Sequence, residues 1–208
     1  MNGTQQQGFS LLELLVTLLV MGIVLGFGVP NFMEFQRNAA VTAAANDLVS
    51  AIYLARTEAV KRQVPVTLCA SANATTAAPT CGIGPNTGFI VFVDDINPAI
   101  VAGTDGNAVV DFGELVLLQQ PAPGGTIAIS ADSIYVTYAP NGFVVPQAVG
   151  QAQPSLTSLL VCDDRGNRDA GGNSAARAVN VAPTGRPQIM RSMADVAIAA
   201  AATGGVCP

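Results

Sequence analysis

One carboxylate, Glu13, stands inside the otherwise apolar run of residues 9–29. An acid in a membrane-length apolar segment costs on the order of 3 kcal/mol even on mild insertion scales, so it is kept where a partner satisfies it. Four cysteines, Cys69, Cys81, Cys162 and Cys207, form a second set. None shows the Cys-x-x-Cys spacing of zinc or thioredoxin chemistry, and disulfides are the better reading. Of the three possible pairings, the sequence-local pair of Cys69 with Cys81 is favoured, leaving Cys162 to tie down Cys207 beside the C-terminus. Either bridge implies an oxidising compartment such as the periplasm. Four buried free thiols in a cytosolic domain are the alternative, because Cys is also a common core residue.

A third set is acidic. Asp94, Asp95, Asp105, Asn107, Asp111 and Glu114 offer enough oxygen ligands for a calcium ion, but their spacing fits no EF-hand and acidic turns explain them equally well. No metal site and no cofactor is expected. The fourth set is basic: Arg186 and Arg191 in "PTGRPQIMR", with Arg165, Arg168 and Arg177 upstream. Such arginines either make salt-sensitive phosphate contacts of little sequence preference or sit on a solvated edge strand and discourage edge-to-edge pairing. The chain has no His, which removes Ser-His-Asp and Cys-His catalysis and histidine-ligated metals. No nucleophile has a base beside it in a recognisable motif, so an enzyme is not expected.

These groups need elements to position them. The 208 residues, half of them apolar, suit one globular domain with one membrane segment, and a net charge of −5 argues against a globally basic nucleic-acid binder. Residues 9–29 are long enough to cross a bilayer, since about 20 apolar residues span the hydrocarbon. They do not form an ordinary secretory signal: the preceding "MNGTQQQG" has no Lys or Arg and no A-x-A site follows. Arg37, the one basic residue near the span, lies after it, so the cysteines rather than flanking charge give the orientation. Pro30 is expected to kink the helix without ending it. Beyond it Val41, Ala45, Leu48, Ile52, Ala55 and Ala59, alternately four and three apart, draw one narrow apolar stripe. Asp47, Arg56, Lys61 and Arg62 fall off the stripe and read as solvated or partner-facing. A single helix over residues 9–62 follows, roughly 80 Å long.

After Arg62 the period becomes strand-like. Candidate strands are "VPVTLCA", "GFIVFVDD", "ELVLLQQ", "TIAIS", "SIYVTYAP", "GFVV", "SLLVCDD", "RAVNVAP" and "RPQIMR", separated by Gly, Pro, Asn and Asp. A mainly antiparallel sheet domain is expected. Asn141-Gly142 in "APNGFV" predicts a two-residue hairpin turn with both residues at positive φ. "SANATTAAPTCGIGPNTG" reads as a loop, closed at its base if Cys69 bonds Cys81.

Gly8 followed by Phe9, then an apolar run with Glu13 four residues after the Phe, resembles the class III signal of type IV pilin-like proteins. Leaders of that superfamily usually carry Lys or Arg, and this one has neither. The stretches "LARTEAVKRQVPVTLC", "GFIVFVDD", "YAPNGFV", "LLVCDDRGN" and "ARAVNVAPTGRPQ" are similar to successive landmarks of the GspH/FimT family, minor pseudopilins of type II secretion systems and minor pilins of type IV pili. The resemblance implies an α+β fold: a long N-terminal helix, transmembrane in its first half, packed on a mainly antiparallel β domain of two sheets. It implies a leader peptide at residues 1–8, a transmembrane segment at 9–30, an amphipathic helix packed on the domain at 31–62 and a periplasmic domain at 63–208.

By the same resemblance, a prepilin peptidase cuts between Gly8 and Phe9 on the cytoplasmic side, Phe9 is N-methylated, and Glu13 meets the free amine of a neighbouring subunit's Phe. The implied role is non-enzymatic: a single-pass inner-membrane protein that joins a filament at or near its tip. The implied partners are other major and minor pilins or pseudopilins, the peptidase and the inner-membrane assembly platform, with secreted protein or DNA as cargo. Some FimT-type minor pilins bind DNA through a late Gly-Arg-x-Arg motif. Gly185-Arg186 occupies its first half here, Gln188 stands where the second Arg would be, and Arg191 lies three residues later. A DNA-binding minor pilin for natural transformation is the alternative role.

Overall fold

The computed structural model describes residues 10–83, 87–95 and 106–205. The chain divides into two compact units, Met1–Ala39 and Ala40–Pro208. One helix, α1 (Leu11–Arg62), contributes to both, with Pro30 inside it. In the first unit every large apolar side chain of residues 11–35 is more than half exposed. In the second unit the composition turns to small residues. The six stripe residues Val41, Ala45, Leu48, Ile52, Ala55 and Ala59 are buried, joined by Ala44 and Ala51. The alanines on this face let the helix backbone lie close on what it covers, which a stripe of leucines would prevent.

The strands are β1 (Val66–Ser71), β2 (Gly88–Val93), β3 (Val116–Gln120), β4 (Ala128–Ala131), β5 (Tyr135–Tyr138), β6 (Ser158–Cys162), β7 (Arg177–Val181) and β8 (Pro187–Met190), followed by helix α2 (Met193–Thr203). They make two four-stranded sheets, ordered β3-β2-β1-β5 and β4-β6-β7-β8, antiparallel throughout. The fold is therefore α+β.

Strand parity sorts the side chains into layers. Val66 and Leu68 of β1, Phe89, Val91 and Val93 of β2, Leu159 and Val161 of β6, and Val179 and Val181 of β7 join the α1 face in one core. The alternate residues of the first sheet, Cys69, Ile90, Phe92 and Tyr135, are buried under loops that bring in Ala74, Ala108 and Ala148. Those of the second sheet, Leu160, Cys162 and Ala178, are covered with Ala176 by Val196 and Ala199 of α2. Burial on both faces explains why "GFIVFV" shows no alternation of apolar and polar residues.

The turn at Asn141-Gly142 differs from its sequence expectation. The N–H of Gly142 donates to the Ala139 carbonyl (2.8 Å), and that of Ala139 donates to the Phe143 carbonyl (2.9 Å). Gly142 has φ 79°, whereas Asn141 is not at positive φ. A two-residue turn would require Pro140 to donate to Phe143, and proline has no N–H. Pairing moves back to Ala139, giving a three-residue loop that ends in a left-handed glycine. The segment "GFVV" is reduced to a single bridge, Tyr138 to Val144. The N–H of Val144 goes instead to the Pro183 carbonyl (3.1 Å) in a second turn of the same design. There Gly185 donates to Ala182 (2.8 Å), Ala182 donates to Arg186 (3.0 Å), and Gly185 has φ 79°. Two Ala-Pro-x-Gly turns thus sit against each other.

The helix α2 has no counterpart among the sequence expectations. Ser192 caps it: its Oγ accepts from the Asp195 N–H (3.1 Å) and bonds the Asp195 carboxylate (2.6 Å). Left-handed Gly204 closes the other end by donating to Ala200.

Candidate assembly helix and arginine sites

The positions of the expected processing site, Gly8 and Phe9, lie outside the described residues. Glu13 lies in the first turn of α1 and is exposed, as are its apolar neighbours. A carboxylate suits this end of a helix, where the backbone N–H groups carry partial positive charge. The helix is long and apolar enough to cross a membrane. Its glycines Gly22 and Gly26, four apart, have open space around them, so another helix backbone can approach closely on that side.

Farther along α1 the charged residues are less free than their sequence positions suggest. Glu58 pairs with Lys61 (3.1 Å) and Arg62 (2.5 Å), and those partners, Arg62 first, hold its carboxyl below the ordinary range. Arg56 is half-buried, and its Nε donates to the Gly142 carbonyl (3.0 Å), tying α1 to the first Ala-Pro-x-Gly turn.

The five late arginines separate into two groups. Arg165 and Arg177 are used inside the domain. Arg165 makes a buried ion pair with Asp163 (2.7 Å). Arg177, 5% exposed, donates from Nη1 to the carbonyls of Ser174, Ala175 and Ala176 (2.8, 3.2 and 2.9 Å) and from Nη2 to Thr42 Oγ1 of α1 (3.3 Å). Burial, and after it the charges of Arg191 and Arg165, lower the Arg177 pKa. Arg168, Arg186 and Arg191 are exposed. Arg186 and Arg191 flank β8 at opposite ends, roughly 16 Å apart along an extended chain, so the structure does not bring them together. It brings Arg191 toward Arg168: their carbonyls accept from the adjacent N–H groups of Ser174 and Ala175 (both 2.8 Å).

The acidic residues are also engaged internally. Asp94 has no exposed surface. Its carboxylate accepts from Thr67 Oγ1 (2.6 Å), the Asn107 N–H (3.1 Å) and the Ala108 N–H (2.8 Å). Burial still pushes its carboxyl upward, against those donors. Asn107 donates to Asp111 (3.0 Å), and the Asp111 N–H donates to Glu114 (2.8 Å). Burial, with the charges of Asp94, Asp111 and Asp95, raises Glu114 to about 7. Asp105 lies outside the described residues, and among those residues no acidic cluster could hold a metal ion. Cys69 and Cys81 form a disulfide. Cys162 is disulfide-bonded as well, and its expected partner, Cys207, lies outside the described residues.

Sequence reasoning did not see Asp94 as the keystone of the loops over the first sheet, nor Arg177 as a structural cation. The threonines at 67 and 137, whose hydroxyls meet at 2.7 Å, were the one available signal for a buried acceptor beside them.

Comparison with known proteins places these features in a family. The model of the family described as type II transport protein GspH matches residues 44–185, and the prokaryotic N-terminal methylation motif matches residues 3–29. No curated protein matches the chain. Crystal structures of the Pseudomonas aeruginosa type IV minor pilin FimU in two space groups are similar to it. One has 16% identity over 75% of this chain and 92% of that one, with a TM-score of 0.42; the other has 18% identity over 72% and 91%, with a TM-score of 0.41. Because the GspH match takes in well over half of its residues, the chain belongs to the family of the type II transport protein GspH.

Proposed function

We propose that this chain is a minor pseudopilin or minor pilin, cleaved between Gly8 and Phe9, methylated on Phe9, and assembled through α1 at or near the tip of a type II secretion pseudopilus or a type IV pilus. The observation that carries this reading is α1 itself. It is one helix whose exposed apolar part suits lipid or neighbouring helices and whose small-residue part is built into the sheet domain. Glu13 within the apolar part is satisfied when a neighbouring subunit's N-terminal amine meets it. Gly22 and Gly26 give that neighbour room. The methylation motif over residues 3–29 supports the cleavage and the modification.

The test is complementation of a deletion strain, with secretion and surface piliation both measured. Wild type restores one of them. Glu13→Ala is expected to lower filament incorporation at least tenfold while the protein still accumulates in the membrane, and mass spectrometry of the mature chain shows a methylated Phe9 at its N-terminus. Full assembly by Glu13→Ala, or an uncleaved leader in active cells, would sink the proposal.

DNA uptake is the second reading, favoured by exposed Arg168 and Arg191, whose backbones both bond the Ser174–Ala175 segment. It predicts DNA binding by the full chain that falls steeply with salt and with Arg191→Ala, and separately with Arg186→Ala. Absence of binding at low salt rules it out.

A further inference from the structure

The large apolar side chains that the second unit leaves in solvent are not scattered. Eleven are exposed among the described residues beyond 40, and six of them, Val60, Val109, Phe112, Leu115, Phe143 and Val149, lie at one end of the first sheet. Strand pairing defines that end. Val66 opens β1 beside Tyr138 of β5 and Val93 of β2, and the Val93 N–H donates to the Leu115 carbonyl (2.9 Å). Val60 is in the last turn of α1, Phe143 closes the turn after β5, and the Val149 N–H donates to the Gly106 carbonyl (2.9 Å). Apolar residues exposed one by one are ordinary, whereas a gathered group marks an interaction surface.

Phe112, 96% exposed, is carried on a braced turn. The Glu114 N–H donates to the Asp111 carbonyl (3.2 Å), with Gly113 at φ 97°. The Asp111 N–H donates to the Glu114 carboxylate (2.8 Å), and the Asp111 carboxylate accepts from Asn107 (3.0 Å). Asn107 is tied in turn to buried Asp94 (3.1 Å). An aromatic ring held out in this way gives up little freedom on binding, and such rings anchor interfaces.

Charge divides the same end. Asp95, Asp111 and Glu114 stand together on the side of β2 and β3, close enough for their charges to act on one another. Across the sheet, three strand spacings or about 14 Å from β3 to β5, the other side is basic. Arg56 donates to the Gly142 carbonyl (3.0 Å), Gly185 lies next to its guanidinium, and exposed Arg186 follows. Glu58, the acid of that side, is already paired with Lys61 and Arg62. Val60 lies against Gly142, so with Phe143 it makes an apolar seat beside the arginines.

An acidic aromatic knob and a basic apolar seat at one end of one chain complement each other about a two-fold axis, where each copy's knob meets the other's seat. One chain cannot bring its own knob to its own seat, because both are built onto the same sheet. We propose that this end of the first sheet is an interface between two copies of the chain, Phe112 of each resting against Val60 and Phe143 of the other, with Asp111 and its acidic neighbours facing Arg186. The pairing does not rest on the filament reading.

The test uses the full-length chain in phosphatidylcholine vesicles, with the photoreactive p-benzoylphenylalanine in place of Phe112 and an equal amount of heavy-isotope-labelled wild type. Illumination is expected to join labelled to unlabelled chain, and mass spectrometry to place the adduct at Val60 or Phe143. Association through α1 brings chains together but does not choose which surfaces meet. The same group at Ile198, exposed on α2, therefore measures chance collision, and the yield from position 112 should exceed it several-fold. Arg186→Glu is expected to lower that yield about fivefold, and raised salt to lower it as well. Val60→Asp should lower it too, and because both side chains are exposed neither change threatens the fold. A yield no greater than from Ile198, or adducts spread over other residues, overturns the interface. A yield that neither Arg186→Glu nor salt alters overturns the pairing of charges.

Discussion

Glu114 shares its hairpin end with three other acids, and only one of its oxygens has a donor. Its Oε2 accepts from the Asp111 N–H, while Oε1 is buried without a partner. Burial raises the group from 4.5 to about 7. Between those values the folded chain keeps a proton that the unfolded chain has lost, so stability falls as pH rises from about 4.5 to about 7. The residue is partly exposed, and screening reduces the effect to on the order of 1 kcal/mol. Urea denaturation at about pH 5 and about pH 8 should show wild type losing that much more than Glu114→Gln. Asp94, also raised by burial, shifts stability in the same direction in both. None of this was legible in the sequence, where Asp94, Asp111 and Glu114 were equivalent acidic turn residues. Which acid is buried depends on loops that cross the first sheet. The arginines repeat the lesson: whether a guanidinium meets solvent or three waiting carbonyls, as Arg177 does, is decided by chain far from it in sequence.

The two Ala-Pro-x-Gly turns form a small joint with α1. A Cβ on Gly185 would lie 2.5 Å from the Gly142 carbonyl oxygen and 2.8 Å from the Tyr138 ring, at a φ of 79°. Neither neighbour can give way easily, because the Gly142 carbonyl is held by Arg56 and Tyr138 is fully buried. Gly185→Ala is therefore expected to cost about 3 kcal/mol, from positive-φ strain together with the clash, read as a lowered Tm. Most elements could be placed from sequence because their patterns are strong: the α1 stripe keeps its spacing, and most of the strands are short apolar runs between turn residues. The α2 helix escaped because almost all its residues are small or apolar, leaving no polar face to reveal the 3.6-residue period. Its Ser192 and Asp195 cap was the readable mark. The exposed first part of α1 was legible from its long run of large apolar residues.

The sheet domain is fastened covalently at the connection between β1 and β2. The bridge from Cys69 to Cys81 spans 12 residues of sequence, and Cys69 lies fully buried in the cluster on the outer side of the first sheet. Replacing both with Ala should lower the unfolding free energy by about 3 kcal/mol through the freed loop, measured by chemical denaturation of the full chain under oxidising conditions. No change would mean that the loop is held by its own hydrogen bonds, such as those converging on Asn73 Oδ1 from Ser71 and Thr80. The outer face of the second sheet has a different kind of cover. Leu160, Cys162 and Ala178 are shielded by α2, which follows every one of these strands in the chain. On a ribosome that helix emerges after every strand it must cover. Until then the sheet stands bare on one side, so a premature stop before Met193 would release a sticky fragment with that apolar face uncovered.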